Sequence, residues 1–542
     1  MHRTVSDDFA RATRAAPDQT FLIVPPSATA DYAAGGVTLS YIEAWANITG
    51  LGERYGASGY GHGHRVALLL ENRPAFFVHW LALNTLGVAV VPINPYFRGT
   101  EMAFLIAHSD ASLVVVLDDR IDEVTAAATG VPVIAESSGT IPTVREPAPN
   151  TAPLGPDSEC ALLYTSGTTG APKGCALSNK YFRMLGDWYL GQGGLCTVRP
   201  GHDRILSPLP LFHMNAMACS FMAAVLSRNT LVQLDRFHPA TWWSDVRATG
   251  ATIIHYLGVM PAILLGLEPA SNDRGHAVRF GFGANVEPSH HVAFEARFGF
   301  PLIEGWAMTE TGAGAIITAN REPRHVGTRC IGRPDGCEIR IVGDTGDDAA
   351  PGVAGELLVR HAGPNRRAGF FSGYHKDPKV TETAWRGGWF HTGDVVRRGE
   401  DGSIHFIDRA GNIIRRSGEN IAALEVEEVL LTHPGVKQCA VISVPDDVRG
   451  EEVAACIVTT AGVAETDETA ISICRFCLDR LAYYKAPGWI YFVDALPATA
   501  TNKVRKRDLT TLTGDTNIAR FDFRPLKGTW RTPSSSSAQP KK

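Results

Sequence analysis

The sequence predicts an α/β chain of more than one domain, with a large N-terminal region and a smaller α+β module at its end. Three observations predict it. Apolar strand-like runs alternate with helical stretches from residue 65, shorter turn-rich strands follow from 332 to 406, and the pattern changes again after Asp408. With 542 residues, 44% of them hydrophobic, the chain buries at least one large core.

RVALLL from Arg65 reads as a strand, 74–86 as a helix and VAVVPIN from Val88 as a second strand. SLVVVL from Ser112 continues the alternation. Near-continuous apolar strands of this kind belong to a parallel sheet covered on both faces. After Asp408 come a helix around 425–431, strands at CAVISV and VAACIVTT, and a helix over 468–484. The division expected is 1–408, a hinge at 409–411, a C-terminal domain over 412–530 and a polar, disordered tail over 531–542. No fixed-period repeat interrupts this order.

The 51 Lys and Arg against 56 Asp and Glu leave a net charge of -5, which offers no broad attraction to phosphate backbones or anionic lipid. Nucleic acid is therefore excluded as an expected partner. No apolar run is long enough to span a bilayer, and the first residues lack the apolar core of a signal peptide, so the cytoplasm is the expected location. Ten scattered cysteines read as reduced core thiols. Cys474 and Cys477 form a CxxC inside an amphipathic helical pattern, without the second pair or His cluster that a metal site needs.

The most informative segment is YTSGTTGAPKG over 164–174, directly after the apolar CALL. Thr165, Ser166, Gly167, Thr168, Thr169 and Gly170 are all small. Backbone N–H groups there can approach phosphate oxygens closely, hydroxyls add donors, and Lys173 brings a positive charge. A Walker A loop is ruled out: counting from Gly167, Pro172 stands where the second Gly must be, and Gly174 where Ser or Thr belongs. A flexible surface loop is the bland alternative.

The loop over 165–174 resembles the signature loop of the adenylate-forming superfamily, which contains acyl-CoA synthetases, the adenylation domains of nonribosomal peptide assembly lines and firefly luciferases. The likeness runs from VTLSY at Val37 to TNKVRKRDL ending at Leu509. It implies an α/β fold with a large N-terminal domain of stacked α/β sheets and a β-rich subdomain, plus a small mobile α+β C-terminal domain. It also implies ATP, Mg²⁺ and coenzyme A as cofactors, and it leaves a homodimer open.

GFGANVEP over 281–288 resembles the segment bordering adenine, which points to Gly283, Ala284 and Asn285. EGWAMTE resembles the YGxTE motif, so Glu304, Gly305, Trp306, Ala307, Met308 and Thr309 fall in the nucleotide site. Glu310 becomes the ligand for Mg²⁺, a hard cation suited to carboxylate oxygen. Trp306 stands in place of the Tyr that stacks on adenine, and Ala307 in place of Gly. The Asp of TGD, here Asp394, is implied to grip the ribose hydroxyls, assisted by Arg409. Lys503 matches the catalytic lysine that bridges the substrate carboxylate and the α-phosphate, preceded by Asn502 where Gly is usual. The hinge residue is Gly411, about which the small domain is implied to rotate between an adenylating and a thioester-forming pose.

By the same resemblance Ser417, Gly418, Glu419 and Asn420 close the coenzyme A tunnel. The acyl pocket lies among Phe212, His213, Met214, Asn215, His255, Tyr256, Phe282 and Met308, with His213 as an aromatic gate. Phe212 and His213 stand near the point where amino-acid-activating relatives place an Asp, which argues against an amino acid. SGTTGAPKG and RSGEN are most similar to medium, short, aryl or carnitine-type acyl-CoA ligases. The expected function is thus ATP-dependent acyl-CoA ligation through an acyl-adenylate. The alternatives are an enzyme loading the phosphopantetheine of an acyl carrier protein and a nucleotide binder that has lost catalysis.

Overall fold

The alternation of strands and helices folds as the sequence predicts. Arg65–Leu69 lies between Ala89–Pro92 and Leu113–Val116, parallel to both. Between the first two runs the helix Pro74–Thr85, opened by a proline where its missing N–H costs nothing. Apolar on every side, this helix is buried through Phe76, Phe77, Trp80 and Leu81. The computed structural model describes residues 4–26, 30–165, 172–286, 288–343, 346–409, 413–497, 504, 506, 509, 513 and 519–527.

These strands belong to a seven-stranded sheet that Glu159–Thr165 and Lys173–Ser178 extend, the latter antiparallel. Side chains alternate across it. Val66, Leu68 and Val90 face one core, whereas Ala67, Leu69 and Val91 face a second beside Met102, Leu105 and Ile106 of the helix Gly99–His108. The first core also holds Leu22, Ile205 and Val232 from a second sheet, with Trp80 and Phe182 packed between. Helices sandwiched by two sheets account for the near-continuous apolar strands.

The second sheet has thirteen strands. Its parallel part includes Arg204–Ser207, Ile253–Leu257, Phe280–Ala284 and Leu302–Trp306. From there it turns antiparallel through Ile317–Thr318 and Cys330–Pro334 to Phe390–Arg398 and Ile404–Arg409. The β-rich region is thus hydrogen-bonded in continuity with the second α/β sheet, which carries both Phe280–Ala284 and the TGD strand Phe390–Arg398.

The C-terminal elements form a six-stranded sheet with the helices Ala423–Leu431 and Asp467–Leu478. The second helix ends at Leu478, six residues short of the sequence expectation. Beyond it the chain turns so that Tyr484 and Lys485 meet the N-terminal region: Asn94 donates to the Tyr484 hydroxyl at 2.8 Å, and Lys485 Nζ lies 2.8 Å from Glu101 and 2.6 Å from Glu425. Cys474 and Cys477 are core residues, and burial pushes the Cys474 thiol up to about 12. The tail over 531–542 lies outside the described residues, where no helix is long and apolar enough to cross a membrane.

Candidate active site

The ends of the parallel strands of the second sheet meet the small domain at two adjoining cavities, of about 1180 and 260 Å³. Ligands bind at such strand ends in open α/β sheets. Leu257, Asn285, Trp306 and Gly418 line both, so the two spaces communicate there.

Where the cavities adjoin, the segment expected to border adenine is built on close backbone packing. A Cβ on Gly283 would fall 2.2 Å from the Tyr256 carbonyl oxygen, so only glycine fits. Asn285 follows with φ 64°, a left-handed turn that asparagine tolerates. Glu304 holds this turn: its carboxylate accepts from the Tyr256 hydroxyl at 2.8 Å and from Val286 N, and burial raises its pKa. The Trp306 indole N–H donates to Asp394 Oδ2 at 2.8 Å, while Arg415 lies 3.4 Å from Oδ1 and donates to Asn285 Oδ1 at 3.1 Å. Trp306 is 6% exposed and lines both cavities, with its indole N–H committed to the carboxylate. The backbone of Arg409 pairs with Asp394.

Toward the phosphate end, Thr165 and Lys173 are cross-strand partners flanking the loop. Lys173 Nζ sits 5.2 Å from the Tyr374 ring centroid, and the Tyr374 hydroxyl donates to Glu310 Oε1 at 2.9 Å. One tyrosine thereby ties the lysine of the loop to the candidate metal carboxylate. The Thr309 carbonyl accepts from Tyr181 at 2.8 Å, fixing the turn before Glu310. Among the described residues no group of three or more His, Cys, Asp or Glu gathers to hold a metal. A single carboxylate suits Mg²⁺ that takes its other oxygens from phosphate and water.

The smaller cavity holds His213, Met214, Asn215, Phe282 and Met308 as the sequence predicts, with Ala307, Thr309 and Glu310 at its rim. Three expected pocket residues stand elsewhere. His255 and Tyr256 are wholly buried behind the wall, because the strand that carries them is covered on both faces. Phe212 does not line the cavity and packs on the His213 ring at 4.5 Å. Leu185, Trp188 and Cys219 complete the wall without having been anticipated. Leu185 and Trp188 sit three residues apart on the helix Asn179–Gly191, a spacing that signals one face but not what covers it.

The small domain reaches the site by a hairpin. Ser417 and Gly418, at φ 52° and 86°, turn between Ile413–Arg416 and Glu419–Ala422, and both line the larger cavity. Gly418 packs so tightly on Leu257 that a Cβ would fall 2.3 Å from its Cδ1. Glu419 Oε2 stands 3.7 Å from His213 Nε2, and the Asn420 backbone pairs with Arg415. Ser166, Gly167, Thr168, Thr169, Gly170, Gly411, Asn502 and Lys503 lie outside the described residues. Arg415, Tyr374 and Lys485 are site or interface residues that the motifs did not single out.

Known proteins resemble the chain in sequence and in fold. The sequence matches the family described as AMP-binding enzyme over residues 9–375, and the AMP-binding enzyme C-terminal domain over 425–503. It is 33% identical to the sulfoacetate–CoA ligase of Cupriavidus necator, over 92% of this chain and 96% of that one. To the crotonobetaine/carnitine–CoA ligase of Proteus mirabilis it is 30% identical, over 87% and 92%. Its fold superposes with a TM-score of 0.80 and 25% identity on a double mutant of o-succinylbenzoate CoA synthetase from Bacillus subtilis bound to its product analogue OSB-NCoA, covering 94% of this chain and 99% of that one. The family model spans most of the chain and these relatives are matched nearly end to end, so the chain belongs to the AMP-binding enzyme family.

Proposed function

We propose that this ATP-dependent acyl-CoA ligase activates a compact carboxylic acid with an uncharged tail. Among the described residues lining the smaller cavity none is Lys or Arg, and Glu310, at the phosphate end, is the one carboxylate. That observation carries the reading. Sulfoacetate, the acid named for one relative, bears a second anion for which this cavity offers no Lys or Arg, and its one histidine, His213, faces Glu419 instead. A volume of about 260 Å³ between Trp188, Phe282 and Met214 suits a short or single-ring acid.

The reaction runs in two halves. ATP binds with its ribose hydroxyls on Asp394, and its β- and γ-phosphates against the loop and Lys173. Mg²⁺ held by Glu310 supplies charge neutralisation there. Lys503 orients the acid carboxylate against the α-phosphate and stabilises the charge that builds as pyrophosphate departs. In the second half Lys503 is withdrawn, and the thiol of coenzyme A attacks the acyl-adenylate and releases AMP. The hairpin at Ser417 and Gly418, inserted where the two cavities meet, supports the view that the described arrangement is the thioester-forming one. The reading places the enzyme in the cytoplasm, where ATP and coenzyme A are available.

A panel of carboxylic acids scored by pyrophosphate release, with and without coenzyme A, tests this. Release that depends on a short neutral-tailed acid and turns over only with coenzyme A is expected. Acid-dependent release indifferent to coenzyme A would redirect the acyl group to a carrier protein. Lys503→Ala should abolish most pyrophosphate exchange while leaving ATP binding; unchanged exchange would overturn the assignment of that lysine.

A further inference from the structure

We infer that Asn215 determines acid specificity by directing its amide N–H groups at a hydrogen-bond acceptor on the tail of the substrate, a conclusion that rests on reading the smaller cavity as the acyl site. The direction of that amide is set by a buried chain of hydrogen bonds behind the wall. Tyr189 and His255 are both wholly buried, with the Tyr189 oxygen 3.1 Å from His255 Nε2. No other hydrogen-bond partner of that hydroxyl stands among the described residues. A buried phenol with one partner donates to it, because an orphaned O–H costs more than an orphaned lone pair. Nε2 therefore accepts.

Burial pushes the His255 pKa down to about 3, so the ring is neutral near pH 7 and carries one proton. With Nε2 accepting, that proton sits on Nδ1. Nδ1 lies 2.8 Å from Asn215 Oδ1 and 2.9 Å from Ser220 Oγ. The imidazole thus pins the carbonyl oxygen of Asn215 toward the core. Its NH₂ group is left pointing the other way, and Asn215 lines the cavity.

The backbone contributes as well. Asn215 opens a π-helical segment, Asn215–Phe221, and the Ser220 hydroxyl donates to the Asn215 carbonyl at 3.3 Å across that wider turn. Such segments recur where a side chain must be re-aimed at a ligand. Other polar groups of the cavity have different stations: Thr165, Thr309 and Glu310 at the phosphate end, His213 facing Glu419, Asn285 accepting from Arg415 and the Trp306 indole donating to Asp394. Beside the indole N–H of Trp188, Asn215 offers the amide donor of this wall, and its direction is the one fixed from behind. His255 acts through it and is a positioning residue.

The probe is a size-matched pair, pentanoate and 4-oxopentanoate, which differ by one carbonyl acceptor, assayed by pyrophosphate release at saturating ATP. The wild type should use the oxo acid with kcat/KM at least about tenfold higher. Asn215→Leu, similar in volume and without donors, should level or reverse the ratio by gaining on pentanoate, with KM for ATP unchanged. Asn215→Asp keeps the size and the bond from His255 but presents an acceptor, so it should lose the preference in a variant expected to fold. Equal use of the two acids by the wild type, or an Asn215→Leu variant that loses both acids in proportion, would overturn the inference while the ligase reading stands. Absence of pyrophosphate release with every acid would overturn both.

Discussion

The indole N–H of Trp306 donates to Oδ2 of Asp394 at 2.8 Å, while the other carboxylate oxygen faces Arg415. The tryptophan therefore acts on Asp394, the carboxylate proposed above to hold the ribose. Trp306→Phe keeps an aromatic ring and removes the donor. A hydrogen bond to a charged acceptor is worth about 1.5–3 kcal/mol, so KM for ATP should rise between about 10- and 100-fold with little change in KM for the acid. Steady-state kinetics with each substrate varied checks this, and an unchanged KM for ATP would show that Asp394 needs no orienting partner.

Lys485 is buried between Glu101 of the large domain and Glu425 of the small one. Burial opposes its charge, and the two carboxylates outweigh that effect and raise its pKa. Lys485→Met leaves both acids facing a dry interface, at a cost of about 3–5 kcal/mol if the pose were kept. The small domain should desert the pose instead. Thioester formation from preformed acyl-adenylate should fall at least tenfold while pyrophosphate exchange is retained; single-turnover assays of each half-reaction separate the two. Equal loss in both halves would mean a general folding defect.

Lys527, near the end of the described chain, donates to Glu452 at 2.9 Å and to the Ala486 carbonyl, and Arg416 completes the buried cluster at 2.8 Å. Lys527→Met strips one cation from a wholly buried carboxylate. The small domain should lose about 3 kcal/mol of stability, read as an earlier thermal transition that added ATP does not restore.

His79 is buried with Nδ1 2.8 Å from the Tyr55 hydroxyl, and burial pushes its pKa from 6.5 down to about 4. The folded state then binds fewer protons than the unfolded one between those values, so its contribution is complete above pH 6.5 and is lost as pH falls. The slope is at most about 1.4 kcal/mol per pH unit. Buried Glu304 and Glu425, with raised pKa values, act in the opposite sense, so the contrast with His79→Gln isolates the imidazole. Urea midpoints measured at pH 6.5 and 5 should fall more for the wild type than for the variant; parallel falls would refute the assignment.

Much of this was legible because backbone requirements leave marks in sequence. Pro74 opens the helix read over 74–86, while Gly283 and Gly418 stand in segments that resemblance singled out and that prove to pack too closely for a Cβ. The family itself was legible in the loop over 165–174 and in TGD, short motifs that need no tertiary context. Partnerships across the fold are not. Tyr374 joins Lys173 to Glu310 from some 200 residues downstream, and nothing local to FSGYH says so. His255 and Tyr256 were placed one layer too far forward, since an apolar strand does not reveal which of its faces meets a cavity.

The π-helical turn at Asn215–Phe221 carries a consequence for how such a pocket changes over generations. A π turn is an α-helix holding one surplus residue. Deleting one residue over 216–221 should restore ordinary winding and swing Asn215 by roughly 100° around the axis, away from the smaller cavity. Point replacements at this wall therefore tune the pocket in small steps, whereas a single-codon loss would redraw it at once. Acid preference here is recorded in the length of the chain as well as in its letters.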